Sequence, residues 1–475
     1  MSLLSLSTEL LEQVCQEFCL HCQKAPSYTM WYFNILDPYT PPQTRALIAL
    51  RRTCKVLAHT AQSHLYHRPL GPRFFRFVQI LEANPKLGNL VRHLSVVQVL
   101  LPPWHKYSQQ ENFLGYLPSF LQRCDHMKGT QLYEDARKSG FNPMPKSLVE
   151  RLDLPTLTTF DDERQALLVT SGLSLMPNLV KLEICLGNWW SFRWCRPDSL
   201  PCLRELVILQ GNVQEPPDGG AIRGLLTAAP ALERLELTQI IHEHHEGNTP
   251  YLSHANVKEV IFNACTLSSH NLRLLVDGFP NLQTLHVGWE LMMMWSGIEE
   301  RHSFGRVMTD IVLQRKDTLR HLSLDLSNFD LLNPDLSDLG GWQDKKLQDL
   351  SRMAVLETIH IDASVLMDES DEGSNDQKIH DILPPSIKEF GLMGQADKPL
   401  YQEVLHLITT RRQHLQKVIV ARWDLQKEEW SHWVDVFASA CLETNIEFST
   451  QEPPDWYALT NSCSQWPDDG KFKEP

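Results

Sequence analysis

The sequence lacks any apolar run approaching the roughly 20 residues that cross a bilayer, so no membrane span is expected. Its start has no basic stretch leading into an apolar one. Glu9 and Glu12 break up the first turns, which argues against a secretory leader. Positive charge is in short supply: 44 Lys and Arg stand against 58 Asp and Glu, a net charge of −14. An acidic surface repels phosphate backbones, so nucleic acid is not an expected partner. The 11 cysteines are odd in number and follow no framework spacing. That pattern fits buried free thiols in a reducing compartment, the cytoplasm or nucleus. Glycine-rich phosphate loops, a G-x-S-x-G elbow and the kinase motif set are all missing. No paired carboxylates and no nucleophile–base arrangement stand out. The expectation is therefore a protein that is not an enzyme and carries no cofactor or metal.

What the chain has is repetition. An apolar template, Leu-x-x-Leu-x-Leu with Val, Ile or Phe allowed, occurs nine times. Its central residues are Leu182, Leu206, Leu235, Val260, Leu285, Leu322, Ile359, Phe390 and Val418, spaced 24 to 37 residues apart. Looser copies precede these around Leu94 and Leu152. The spacing and template are those of irregular leucine-rich repeats. Between the copies lie amphipathic stretches such as AIRGLLTAAP, SHNLRLLVDGF and RVMTDIVLQR. Pro177, Pro230 and Pro280 mark where such a helix stops and the next strand starts. One strand–helix segment cannot bury its own apolar face, so stacked neighbours must share a core. The expected fold class is α/β: an N-terminal helical unit, then a solenoid with parallel strands on its concave face and helices outside.

The first 70 residues read differently. LSTELLEQVCQEFCLHC, residues 6–22, carries C-x3-C-x2-C at Cys15, Cys19 and Cys22, the spacing with which radical S-adenosylmethionine enzymes hold an iron–sulfur cluster. Leu10, Leu11, Val14, Cys15, Phe18, Cys19 and Cys22 also form one stripe of a helix that Ser7 or Thr8 would cap. On one helix Cys15 and Cys22 stand about 10 Å apart along the axis. A row of that kind does not converge on a cluster, and no Gly or Pro supplies a loop. The sequence thus favours core thiols. A second stripe runs through Leu47, Leu50, Cys54, Leu57, Ala61 and Leu65, expected as a helix bent near Thr53.

Leu6-Ser7-Thr8-Glu9-Leu10-Leu11, then Leu47-x-x-Leu50-Arg51-x-Thr53-Cys54-Lys55-x-Leu57 and Leu65-Tyr66, resembles the F-box motif of fungal F-box proteins. The resemblance covers residues 2–68. Ser7 stands where that family usually has proline, and the connection from Cys22 to Thr44 is longer than usual. With the repeats, the whole chain looks like a fungal F-box protein with leucine-rich repeats. The resemblance implies a three-helix unit that docks on a Skp-type adaptor and through it on a cullin-based ubiquitin ligase. It implies adaptor contacts from Leu6, Leu10, Leu11, Val14, Leu47, Leu50, Cys54 and Leu57. A leucine-rich scaffold whose helical cap binds no adaptor is the other reading.

A repeat array offers its partner the segments that leave its strands. After Ile184 these include Trp189, Trp190, Arg193 and Trp194, and after Val287 they include Trp289, Met292, Met293, Met294 and Trp295. Trp and Arg dominate binding hot spots. We therefore expect the target-protein contacts at Trp189, Trp190, Arg193, Trp194, Trp289 and Trp295, with Trp104 and Trp423 following other strands. HEHHE at His242, His244 and His245 is not H-E-x-x-H, because Glu246 stands in place of the second His, and it reads as a solvated loop. The expected organisation is a helical domain over 1–70, a repeat array over 71–448 with insertions near 98–147 and 366–377, and an irregular tail over 449–475.

Overall fold

The structure is a computed structural model that describes residues 6–23, 42–69, 74–96, 169–170, 172–186, 195–210, 219–238, 252–263, 265, 269–288, 304–325, 347–366, 378–394, 396, 398–411, 414–421 and 428–451. Two compact units divide the chain, residues 1–281 and 282–475. The first opens with α1 (Thr8–Glu17), α2 (Pro42–Arg51), α3 (Lys55–His67), α4 (Phe74–Ala83) and α5 (Pro85–Gly88). Strands β1 (His93–Val96), β2 (Lys181–Leu186), β3 (Glu205–Gln210), β4 (Arg234–Thr238) and β5 (Glu259–Asn263) follow, with α6 (Gly219–Ala228) before β4 and α7 (Ser269–Gly278) after β5. The second unit contains β6 (Thr284–Gly288), α8 (Phe304–Leu313), β7 (His321–Asp325), β8 (Thr358–Asp362), α9 (Ile379–Ile382), β9 (Glu389–Met393), α10 (Lys398–Thr410), β10 (Lys417–Ala421), α11 (Glu428–Thr444) and β11 (Glu447–Gln451). The class is α/β, and within each unit the strands lie side by side in chain order, parallel to their neighbours, as in a solenoid.

The register of those strands follows the sequence template. In the first unit Leu94 pairs with Leu182, Leu182 with Leu206, Leu206 with Leu235 and Leu235 with Val260. In the second, Leu285 pairs with Leu322, then Ile359, Phe390 and Val418 in turn. All three template residues in each of the nine copies are at most 3% exposed. Register has a backbone cause. The carbonyl of Val180 accepts N–H bonds from both Arg204 and Glu205, and that of Arg204 accepts from Glu233 and Arg234. The carbonyls of Arg320, Glu357 and Lys388 repeat the pattern in the second unit. Each strand is therefore pinned to its predecessor before its first apolar residue turns inward.

Side chains reinforce this joint. Asn178 donates its amide to the Asn89 carbonyl at 2.9 Å, Asn256 to Pro230 at 2.7 Å and Asn281 to Ala255 at 2.8 Å. At the corresponding place in the second unit the Ser386 hydroxyl donates to Leu356 at 2.7 Å. Each of these residues stands just before the first template position. Helices α6 and α7 end before Pro230 and Pro280, as the sequence implied. The chain departs from expectation at three places. Residues 42–67 form two helices rather than one bent helix, because the Thr53 hydroxyl takes up the Leu50 carbonyl at 2.7 Å and Cys54 turns extended at the start of α3. Helix α1 ends at Glu17, not at Cys22. Strand β11 carries the array past residue 448 to Gln451, pairing Phe448 with Val418.

Removing one joint should cost far less than removing one template residue. Asn256→Ala should lower the unfolding free energy by about 1 kcal/mol. Leu235→Ala should lower it by roughly 2–5 kcal/mol, because it leaves a cavity in the shared core. Urea unfolding followed by far-ultraviolet circular dichroism measures both.

Candidate functional site

Helices α1, α2 and α3 share a small core of their own. Cys15, Leu47 and Ala61 form its centre, with Phe18, Leu50 and Leu65 packed against it. Ser7 caps α1, its hydroxyl accepting the Leu10 N–H at 3.4 Å, and Glu9 sits in the first turn. The eight residues assigned to adaptor contact divide accordingly. Leu11, Leu47 and Leu57 are buried inside the unit, so they shape its surface rather than form it. Leu6, Val14, Leu50 and Cys54 are half-buried. Leu10 is 46% exposed, and Val56, which the resemblance did not single out, is 54% exposed. A buried Leu and an exposed one look alike in an apolar stripe. Val56 lies at the edge of the face that the three-and-four spacing of Leu57, Thr60, Ala61 and His64, the buried residues of α3, defines.

The unit is tied to the array that follows. Tyr66 stacks on Phe77 of α4 with ring centroids 6.3 Å apart, and Arg92, just before β1, donates its N–H to the His67 carbonyl at 3.0 Å. Beside this joint lie thiols and imidazoles from two segments. After α1, the Phe18 N–H bonds to the Cys15 carbonyl at 3.2 Å and Cys19 N–H to Gln16 at 3.0 Å, which tightens the chain into a turn. The Gln23 side chain donates to the Gln16 carbonyl at 3.2 Å and takes up a group that a glycine cap would otherwise leave to the backbone. The turn swings Cys19 and Cys22 off the helix stripe and towards α3. The expectation of three thiols in a row is therefore corrected: Cys15 stays in the core, while Cys19 and Cys22 meet His64 and His67. Cys22 Sγ lies 3.8 Å from His64 Nδ1 and 3.7 Å from His67 Nδ1, and Cys19 Sγ lies 3.7 Å from His67 Nδ1. Burial, followed by the neighbouring His64 and His21, pushes His67 down to about 4.

The strands offer a charged face. On β4 and β5 burial alternates, so Arg234, Glu236 and Glu259 stand on the side away from the core. Arg234 bridges Glu236 at 3.2 Å and Glu259 at 3.6 Å, and Asn263 donates to Glu236 at 3.1 Å. On β2 the same row is covered: the Glu183 side chain is 0% exposed, with His93 at 3.0 Å and Lys181 at 3.1 Å. Val207 and Leu209 on β3 are buried as well as the template residues between them. In the second unit the His360 ring lies across Gly391, where a Cβ would come within 2.5 Å of it, and reaches Glu389 at 2.8 Å. Ahead of the strands β7 to β10, a cleft of about 360 Å3 is lined by Arg320, Glu357, Ser386, Lys388, His414 and Gln416. The Lys388 hydrogen bond holds the Glu357 carboxyl below its usual range.

The residues expected to hold a target, Trp189, Trp190, Arg193, Trp194, Trp289 and Trp295, lie outside the described residues, as do Trp104, Trp423, Met292 to Met294, the His242 to His245 stretch, the acidic run from 367 to 377 and the tail from 452. Among the described residues no helix is long and apolar enough to cross a membrane.

Glu183 can be tested directly. Glu183→Ala leaves His93 and Lys181 facing an emptied buried position, and breaking a buried pair in this way should cost about 3–5 kcal/mol. Thermal unfolding should shift down accordingly, whereas Glu259→Ala, on the half-exposed part of the row, should shift it by less than about 1 kcal/mol.

Compared with models of known protein families and with curated proteins, the chain matches none.

Proposed function

We propose that the chain is a non-catalytic substrate-recognition subunit, in which the three-helix unit binds a Skp-type adaptor and the parallel-strand array binds a target protein for ubiquitination. The observation that carries this reading is the division of labour within α1–α3. The unit closes a core of its own around Cys15, Leu47 and Ala61, yet leaves Leu10 and Val56 open to solvent. Apolar side chains that a domain does not need for its own core are what a partner can bury. The F-box resemblance of residues 2–68 names the partner. The mechanism is proximity: the N-terminal helices hold the adaptor, the array holds the target, and the effective concentration of target lysines beside the ligase rises. No side chain has to do chemistry.

The target contacts are assigned to Trp189, Trp190, Arg193, Trp194, Trp289 and Trp295, which follow β2 and β6 directly in the chain. The second reading, a repeat scaffold with a helical cap, draws on the ties between His67 and Arg92 and between Tyr66 and Phe77. Such ties are also what a cap needs.

Co-expression with a Skp-type adaptor separates the two. Wild-type chain should co-purify with it. Leu10→Asp with Val56→Asp should lower the affinity more than about 100-fold, since each carboxylate would have to be desolvated in the interface. Both positions are exposed, so the circular dichroism spectrum should not change. No co-purification by the wild type would select the scaffold reading, and undiminished co-purification of the double variant would overturn the placement of the adaptor contact at Leu10 and Val56.

A further inference from the structure

We propose that Cys19, His21, Cys22 and His67 form a structural zinc site that fastens the turn after α1 to the end of α3. One ligand atom from each of the four lies within 4.8 Å of every other. The donors come from two segments more than 40 residues apart in sequence, so local geometry alone does not gather them. The distances fit one ion. With Zn–S of about 2.3 Å and Zn–N of about 2.0–2.1 Å, the edges of a tetrahedral site are about 3.6 Å between sulfur and nitrogen. Cys19 Sγ and Cys22 Sγ each lie 3.7 Å from His67 Nδ1, and Cys22 Sγ lies 3.9 Å from His21 Nδ1.

The donor set also fits. Two thiols with two residues between them in a turn, completed by imidazoles, select zinc over the hard cations that prefer carboxylates. Among the described residues the four thiols of the helical unit, Cys15, Cys19, Cys22 and Cys54, are free. Two thiolates cancel the charge of the ion, so the site adds no net charge beside Arg68 and Arg92. Cys15 takes no part, being enclosed by Leu47 and Ala61. This separates the site from the three-thiol cluster that the C-x3-C-x2-C spacing suggested.

His64 is the neighbour to exclude. Its Nδ1 lies 3.8 Å from Cys22 Sγ, and its ring meets that of His67 edge to face at 4.9 Å. It stands outside the group of four whose ligand atoms all lie within 4.8 Å of one another. We assign it to packing beside the site, with His21 as fourth ligand.

The position gives the site a task. His67 is the last residue of α3, and its carbonyl holds the N–H of Arg92 at the start of the array. An ion on its ring would fix that carbonyl and close the loop from residue 22 to residue 67 in one step. Free energy of metal binding to such a site becomes free energy of folding.

The test uses the full chain without a histidine tag, purified under reducing conditions and measured by elemental analysis. About one zinc per chain is expected, by analogy with closed structural sites. Cobalt should replace it, with tetrahedral d–d bands in the visible and thiolate-to-metal charge transfer in the near ultraviolet, and a strong chelator should lower the melting temperature. Cys19→Ser, Cys22→Ser, His21→Ala and His67→Ala should each bring zinc below about a tenth of the wild-type content, as loss of a ligand opens the site. Cys15→Ala and His64→Ala should keep it. His67→Cys should restore zinc, which distinguishes a lost ligand from a lost fold. A wild-type chain that takes up no stoichiometric zinc, a Cys19–Cys22 disulfide in the intact mass, or zinc retained in Cys19→Ser overturns the proposal. Loss in His64→Ala with retention in His21→Ala overturns the ligand assignment.

Discussion

A single backbone carbonyl that accepts two N–H groups from the next repeat is the joint on which the array depends. Val180, Arg204, Arg320, Glu357 and Lys388 all provide one. The joint sits one residue ahead of each strand, so it fixes which side chains of that strand face inward. A slip of one residue would send every template Leu to solvent. Because the joint recurs, Leu182 meets Leu206 and Leu322 meets Ile359 without a separate device for each pair. The core of each unit is then a stack of like residues, and its stability is a sum over neighbours.

The strands of the array were legible because their signal is redundant. Nine copies of three apolar positions outweigh the irregular spacing between them, and the burial of all of them follows. Phe448 escaped notice for the opposite reason. β11 has only Ile446 and Phe448 to show, and the residues around them, Glu447, Ser449 and Thr450, read as the start of a tail. Helix α11 carries its own stripe, with Trp433, Phe437 and Cys441 four residues apart and the first two against the ring of Tyr401.

The helical unit was legible as helices but not as a surface. The stripe that contains Leu10, Leu11, Val14 and Cys15 is wider than its core needs, and only packing shows that Leu11 and Cys15 lie inside while Leu10 lies out. The meeting of Cys19 and Cys22 with His67 was illegible for a sharper reason. Absence of Gly and Pro suggested a helix to Cys22, yet side chain and backbone together end it early: Gln23 returns to Gln16, and Cys19 bonds back through its own N–H. A glutamine is no general helix stop, so sequence periodicity runs straight through the turn.

The distance between successive joints carries a consequence for how such a chain can change. Everything that fixes a repeat happens at the start of its strand. Central residues are 24 residues apart at one place and 37 at another, yet the pairing at the start of the strands keeps the same register. Such an architecture tolerates long additions on one side of each strand and almost none on the other. A segment spliced in after Thr238 or Gly288 would leave the ladder undisturbed. A single residue added between Glu233 and Leu235 would turn the whole strand over. Growth of the molecule is thus directional, with novelty collecting along one margin while the opposite margin keeps count.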